Sequence, residues 1–273
     1  MSIRTPQTLP VLAVLLFATF GSGTRADDSD DPKDLRNAMR KLAASVVIEN
    51  PSGPSPQLLG EPVFRYSDQP RRIVDATLWV WVVDGRPAAM QKVEAVERPD
   101  GPGWTVCFAS FAPELLKVEW TGGQQLECSQ PGVAFQPLPS PPELSADAIR
   151  PLQTRQVARR FAARIVNDPD QNTVEQMRLL ARPIFEYSHP ETGLLTGAVF
   201  GFASNGTNPD AYLVLEANQQ EGNQADWRYA WVRMTSGGVT GLLDNEPIWS
   251  CDWVRPQSVP RENWMFFKLN REL

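Results

Sequence analysis

A single histidine, His189, stands in a chain of 273 residues. Any centre needing two imidazoles is therefore excluded, which removes most zinc-hydrolase arrangements. A Ser-His-Asp or Cys-His site would have to be built around His189, and no G-x-S-x-G elbow supplies a serine nucleophile. His189 ends the strand-like phrase "RPIFEYSH" and precedes Pro190, so it reads first as a turn residue and second as a general base or ligand contact. Two glutamates, Glu94 and Glu216, occupy matching places in two similar stretches and are the pair from which carboxylate-driven hydrolysis would be built. The plainer expectation for each is a strand-end charge facing water.

Other chemistry has less to stand on. "NDPDQN" at 167 to 172 spaces Asp168, Asp170 and Asn172 like the start of a calcium loop, but Thr173 replaces the required glycine and Leu179 stands where a bidentate glutamate belongs. A loop is the better reading. No Walker loop and no G-x-G-x-x-G follows a strand-like run, so phosphates and dinucleotides lack their backbone cradle; no metal and no cofactor is expected. Nine tryptophans are the most unusual count. Trp79 and Trp81 alternate with Leu78, Val80 and Val82, which makes the strand apolar on both faces and fits a buried central strand better than a sugar platform. Trp249, Trp253 and Trp264 flank or follow the loop-like "RPQSVPREN" and are, with His189, the candidate ligand-contacting residues.

The elements that must position these residues come in two similar sets. Aligning 61 to 95 with 182 to 217, with a single one-residue gap, gives nine identities, among them Phe64 with Phe185, Tyr66 with Tyr187, Gly85 with Gly206 and Glu94 with Glu216. The match continues weakly through Trp104 and Trp227 to Cys128 and Cys251. Such spacing predicts one unit of roughly 120 residues used twice. In a strand Phe64 and Tyr66, or Phe185 and Tyr187, share a face and anchor the start of each sheet.

In the first set Leu35, Met39, Leu42 and Val46 recur at helical spacing after Asp31 and Pro32, which can cap and start a helix. Strands are expected near 61 to 66, 74 to 83, 88 to 96, 103 to 111 and 116 to 120, with Asp84-Gly85 as a tight hairpin turn. In the second, Ser140-Pro-Pro-Glu143 resembles a capping box. A helix over 146 to 166, kinked at Pro151, would align Leu152, Val157, Phe161 and Ile165 on one face and leave Arg155, Arg159 and Arg164 solvated. Strands near 208 to 217, 226 to 234, 238 to 243 and 247 to 253 follow, and "SNGTNPD" turns the main hairpin, which accounts for the glycosylation-like Asn205-Gly206-Thr207 without sugar. The expected fold is α+β, two similar repeats, each a lead-in helix followed by an antiparallel β-meander.

Composition sets the address. Residues 1 to 26 carry Arg4, an apolar run from Leu9 to Phe20 and Thr24-Arg25-Ala26, the pattern of a cleaved secretory signal peptide. That run is roughly half the ~20 residues of a membrane span, so no stable span is expected once the signal is removed. The formal charge is −6, an acidic surface that repels nucleic acid backbones and anionic lipid, and loss of Arg4 and Arg25 makes it more so. Export places Cys107, Cys128 and Cys251 where disulfides are permitted, and three cysteines allow at most one intramolecular bridge.

The phrases "RLLARPIFEY", "GAVFGFASNGTNPDAYLVLEA" and "WRYAWVRMTSGG" resemble a group of exported proteins of unknown function from planctomycete bacteria. The resemblance covers about 130 to 255, with "TLWVWVVDGRPAAM" similar to the group's N-terminal half, and it implies export but no activity, substrate or partner. The expected organisation is a signal peptide at 1–26, a first repeat at 27–130, a Pro-rich linker at 131–144, a second repeat at 145–255 and a C-terminal tail at 256–273. The expected function is a non-catalytic binding or interaction module of the cell envelope, exported to the periplasm, the surface or the medium, with an envelope protein as partner. The alternatives are a glycan- or small-ligand-binding module using exposed tryptophans and a hydrolase using paired carboxylates.

Overall fold

A computed structural model describes residues 32–142, 151–170, 173–219, 225–255 and 262–270. The signal segment, the Asp31 cap, Asn172, Glu143 of the capping box and the start of the helix expected at 146 lie outside the described residues.

The protein is a β-rich α+β fold with antiparallel sheets. Helix α1 (Pro32–Ala44) leads into β1 (Val46–Glu49), which forms a three-stranded sheet with β7 (Lys117–Trp120) and β8 (Gln125–Glu127). A six-stranded sheet holds β2 (Gln57–Leu58), β3 (Phe64–Asp68), β4 (Ile73–Val83), β5 (Arg86–Arg98) and β6 (Gly101–Ser110), with β18 (Trp264–Asn270) on the outer side of β6. The remaining strands form a nine-stranded sheet around β13 (Leu194–Ala203), β14 (Ala211–Gln219) and β15 (Ala225–Arg233). On one side β12 (Phe185–His189) pairs with β13; on the far side β9 (Gln136–Pro137) pairs with β15. Through β11 (Val174–Leu179) the sheet continues to β10 (Phe161–Val166), β16 (Gly238–Leu243) and β17 (Glu246–Cys251).

Three apolar layers explain why the main strands are hydrophobic on both faces. One face of the six-stranded sheet (Leu78, Val80, Met90) meets one face of the nine-stranded sheet (Val199, Tyr212, Val214) in a shared central core. On the outer side of the first sheet Trp79, Trp81 and Phe108 pack against Met39 and Leu42 of α1 and Trp120 of the small sheet. The second sheet buries Phe200, Leu213 and Trp231 under Phe161 and under Val157 of α2 (Pro151–Ala158). Trp79 and Trp81 are thus core residues, as their alternation predicts.

The expected helix over 146 to 166 is corrected: α2 stops at Ala158, and Phe161 to Val166 is strand β10, with Phe161, Ala163 and Ile165 inward. Residues spaced by four lie on one face of a helix and also of a strand, so Val157, Phe161 and Ile165 satisfy both patterns; the pairing of Phe161 to Val166 with β16 decides. The expected Pro-rich linker is likewise packed. Val133 and Leu138 are buried, β9 pairs with β15, and a methyl on Gly132 would lie 2.3 Å from the Ser110 backbone. The C-terminal tail contains β18, whose Trp264 enters the central core while Met265 enters the outer one. Cys107, Cys128 and Cys251 are free thiols.

Candidate functional site

Two polar clusters lie where the sheets meet, and each begins with a tyrosine two residues after a phenylalanine. Phe185 and Tyr187 stack at 5.8 Å, as do Phe64 and Tyr66 at 6.1 Å, because alternate residues of a strand share a face. Each tyrosine hydroxyl donates to a buried glutamate: Tyr187 to Glu216 Oε1 at 3.0 Å and Tyr66 to Glu94 Oε1 at 2.6 Å. The expectation that Glu94 and Glu216 are strand-end charges facing water is corrected. They are 6% and 2% exposed, because β5 and β14 are interior strands of their sheets.

The larger of the cavities at these two clusters, about 470 Å³, contains Glu216. Its walls come from both halves of the chain. The β4–β5 hairpin turns at Asp84 and Gly85, both with positive φ (48° and 76°), the two-residue turn that Asp-Gly favours, and this sets Arg86 opposite Val83 at the cavity mouth. The same turn rests against Ser188 in β12: a Cβ on Gly85 would sit 3.8 Å from the Ser188 carbonyl. Phe111, Val133 and Phe135 make the apolar wall. Tyr187, His189, Glu216 and Arg228 complete the site from the second half.

Within it, Glu216 and Arg228 are direct cross-strand partners in β14 and β15. Arg228 donates from Nε (2.9 Å) and Nη2 to Glu216 Oε2, and its guanidinium lies 4.3 Å from the centre of the Phe135 ring. Both carboxylate oxygens are therefore engaged, Oε1 by Tyr187 and Oε2 by Arg228. Burial, then the Glu216 charge, pushes the Tyr187 hydroxyl well above its usual range, so it remains a neutral donor. Arg86 Nε lies 3.9 Å from Glu216 Oε1, an ion pair too long for a hydrogen bond.

The smaller cavity, about 280 Å³, contains Glu94 and is lined by charges that pair with one another. Lys92, 2% exposed, donates to Asn208 Oδ1 at 2.9 Å and lies 6.0 Å from the centre of the Tyr66 ring. Asn208 Nδ2 donates to Asp68 Oδ2 at 3.2 Å. Arg71 forks onto Asp210 at 2.7 and 3.1 Å and reaches Ser204 at 3.0 Å. Burial alone would raise the Asp210 carboxyl, but Arg71 outweighs it, with Lys92 and Ser204 assisting, and holds it below the usual range. Glu94 moves upward, because burial exceeds the help from Lys92, Tyr66 and Arg71.

Of the four candidate ligand-contacting residues only His189 borders the larger cavity, beside Glu216 of the carboxylate pair. Its Nδ1 lies 2.9 Å from Thr192 Oγ1, whose hydroxyl donates to the His189 carbonyl at 3.0 Å. Trp249 is half-buried and stacks on Trp231 at 5.7 Å and 10°. Trp253 is half-buried and donates from its indole to the Asn167 carbonyl at 3.1 Å. Trp264 is only 1% exposed and lines the smaller cavity, so the expectation of an exposed ring there is corrected: it is the first residue of β18, which pairs with β6.

Asp168 accepts from the Asp170 backbone N–H at 3.0 Å, a local turn closed by the aspartate side chain. Among the described residues no group of three or more His, Cys, Asp or Glu side chains has metal-binding geometry. Nor is any described helix long and apolar enough to cross a membrane.

Sequence reasoning missed Arg86, Lys92, Asn208, Asp210 and Arg228. One signal was present: "AAMQKVEAV" places Lys92 and Glu94 inside a strand-like run whose other residues, apart from Gln91, are apolar, and buried charges there must be paired. No family model, no curated protein and no solved structure matches this chain.

Proposed function

We propose that the protein is an exported, non-catalytic binding protein of the cell envelope, built from a duplicated α+β unit, which holds its ligand in the cleft between the two halves. One observation carries this reading: a cavity of about 470 Å³, within the range of small-molecule sites, to which the first half contributes Arg86 and Phe111, the connecting segment Val133 and Phe135, and the second half Tyr187, Glu216 and Arg228. Duplication is supported by matching pairings. Phe64 and Tyr66 lie opposite Leu78 and Ala76, and Phe185 and Tyr187 lie opposite Val199 and Gly197. In both places the register then shifts, and a short 3-10 turn ends in a left-handed residue, Arg72 or Gly193. Export rests on the leader-like residues 1 to 26.

The competing readings have less support. Glu94 and Glu216 line different cavities, each with its own tyrosine, so they offer no shared site for paired-carboxylate hydrolysis. Of the nine tryptophans only Trp249 and Trp253 keep appreciable surface, which is little for a glycan platform. The cleft reading is tested by plugging its rim. Pro113 is exposed and lines the cavity, so Pro113→Trp narrows the entrance from outside the core. Crosslinking capture from the native envelope, and mass spectrometry of molecules that copurify with the chain, are expected to give a ligand that the plugged variant loses. Capture unchanged by the plug, with circular dichroism unaltered, would place binding elsewhere.

A further inference from the structure

We propose that the ligand of the larger cavity is a carboxylate carrying an adjacent N–H and an apolar body, as in an N-acylated apolar amino acid or the C-terminal residue of a peptide, with its carboxylate on Arg86. The proposal rests on the cleft reading and specifies its chemistry.

The two tyrosine–glutamate clusters provide an internal comparison. In the smaller one every cation has a dedicated partner from the chain: Arg71 forks onto Asp210, and Lys92 donates to Asn208. In the larger one Arg228 is matched by Glu216, and Arg86 is a second cation beside a carboxylate already satisfied. Among the described residues Arg86 makes no hydrogen bond, and its one charged contact is the 3.9 Å approach to Glu216. A guanidinium has five N–H donors in a planar fork that matches a carboxylate. Asp210 on Arg71 is the chain's own example of that pairing. A ligand carboxylate on Arg86 would complete the larger cluster in the same manner, and the unfilled volume there leaves room for it.

The neighbouring groups narrow the class. The Thr192 hydroxyl donates to the His189 carbonyl, so its oxygen is left to accept from His189 Nδ1–H. In the tautomer with Nδ1 protonated, Nε2 is an acceptor, and the group it suits is an N–H. An amide N–H one carbon from a carboxylate has that pairing of donor and anion. Phe111, Val133 and Phe135 provide the wall for an apolar side chain.

The test is isothermal titration of the full chain without its leader, using N-acetyl-leucine, N-acetyl-leucinamide, and an acetylated tetrapeptide ending in leucine with a free or an amidated C-terminus. The acids are expected to bind at least tenfold more tightly than the matching amides. Arg86→Gln should remove that preference and Arg86→Lys should keep part of it. Arg86 is partly exposed and makes no hydrogen bond among the described residues, so these variants are expected to fold. Stronger binding of the peptide acid, or of the small acid, supports the proposal and separates the two sources. Equal binding of acids and amides, unaffected by Arg86→Gln, would overturn the carboxylate assignment and leave the cleft reading intact. No binding by any of the four would also overturn it, while capture by the chain and its loss on Pro113→Trp decide the cleft reading separately.

Discussion

Asp210 is where the two halves are tied most tightly by charge, and its removal gives a prediction that can be worked through. The carboxylate is 2% exposed and accepts from Arg71 Nη1 (2.7 Å), Arg71 Nη2 (3.1 Å), Ser204 Oγ (2.8 Å) and the Ser204 backbone N–H (3.3 Å). Asp210→Ala removes that acceptor and leaves Arg71 with the Ser204 hydroxyl at 3.0 Å as its one remaining hydrogen-bond acceptor among the described residues. Breaking a buried ion pair by deleting one partner costs about 3–5 kcal/mol. The low end applies here, about 3 kcal/mol, because the Arg71 side chain is 30% exposed and keeps Asp68 at 3.5 Å.

Urea denaturation followed by tryptophan fluorescence measures the loss, provided the m-value is unchanged. A cycle with Arg71→Ala should return a coupling of about 2 kcal/mol. The Asp210 carboxyl is held below its unfolded value, so its contribution is present above roughly pH 3.9 and fades as the pH falls through the lower folded value. Asp210→Ala should therefore flatten the acid limb of the stability profile. A loss under about 1 kcal/mol, the range of solvent-exposed pairs, would refute the claim that this contact joins the halves.

Other consequences can be measured on the same protein. The Glu94 carboxyl is raised, so stability should decline as pH rises from its unfolded value near ~4.3 through the folded one, and Glu94→Gln should abolish that decline in pH-dependent urea melts. Gly132→Ala would set a methyl 2.3 Å from the Ser110 backbone, and a loss of about 1–3 kcal/mol in thermal or urea unfolding is expected from such overpacking. Trp264→Ala should cost about 3–5 kcal/mol, since the ring fills the central core; a change below 1 kcal/mol would mean that β18 is not docked there. Burial pushes the Cys128 thiol up to about 11 and raises Cys107 and Cys251 as well, so a thiol reagent at pH 8 should label all three quickly only after unfolding.

Local pattern determined much of this protein. Alternation marked β4 and its buried tryptophans, Asp84-Gly85 marked the hairpin that carries Arg86, and the recurring Phe-x-Tyr phrase marked strands β3 and β12. These are properties of a strand's two-residue period and of residues that accept positive φ, so they can be read along the chain. Pattern failed where two periods coincide, as at Val157, Phe161 and Ile165, and where a strand's partner is distant, as with β18 on β6.

The site was the least legible part. Nothing in the spacing of Arg86, Glu216 and Arg228, or of Arg71, Lys92 and Asp210, indicates that they meet across the two sheets. Lys92 and Glu94 stand in a mostly apolar strand-like run, yet Glu94 reads from sequence as facing water; it is their burial that makes partners necessary, because an unpaired buried charge is too costly to keep. Only the packing of one sheet face on the other decided which partners those are, and it left Arg86 beside an open cavity while Arg71 was matched within the chain, because burial and charge pairing act through space rather than along the backbone.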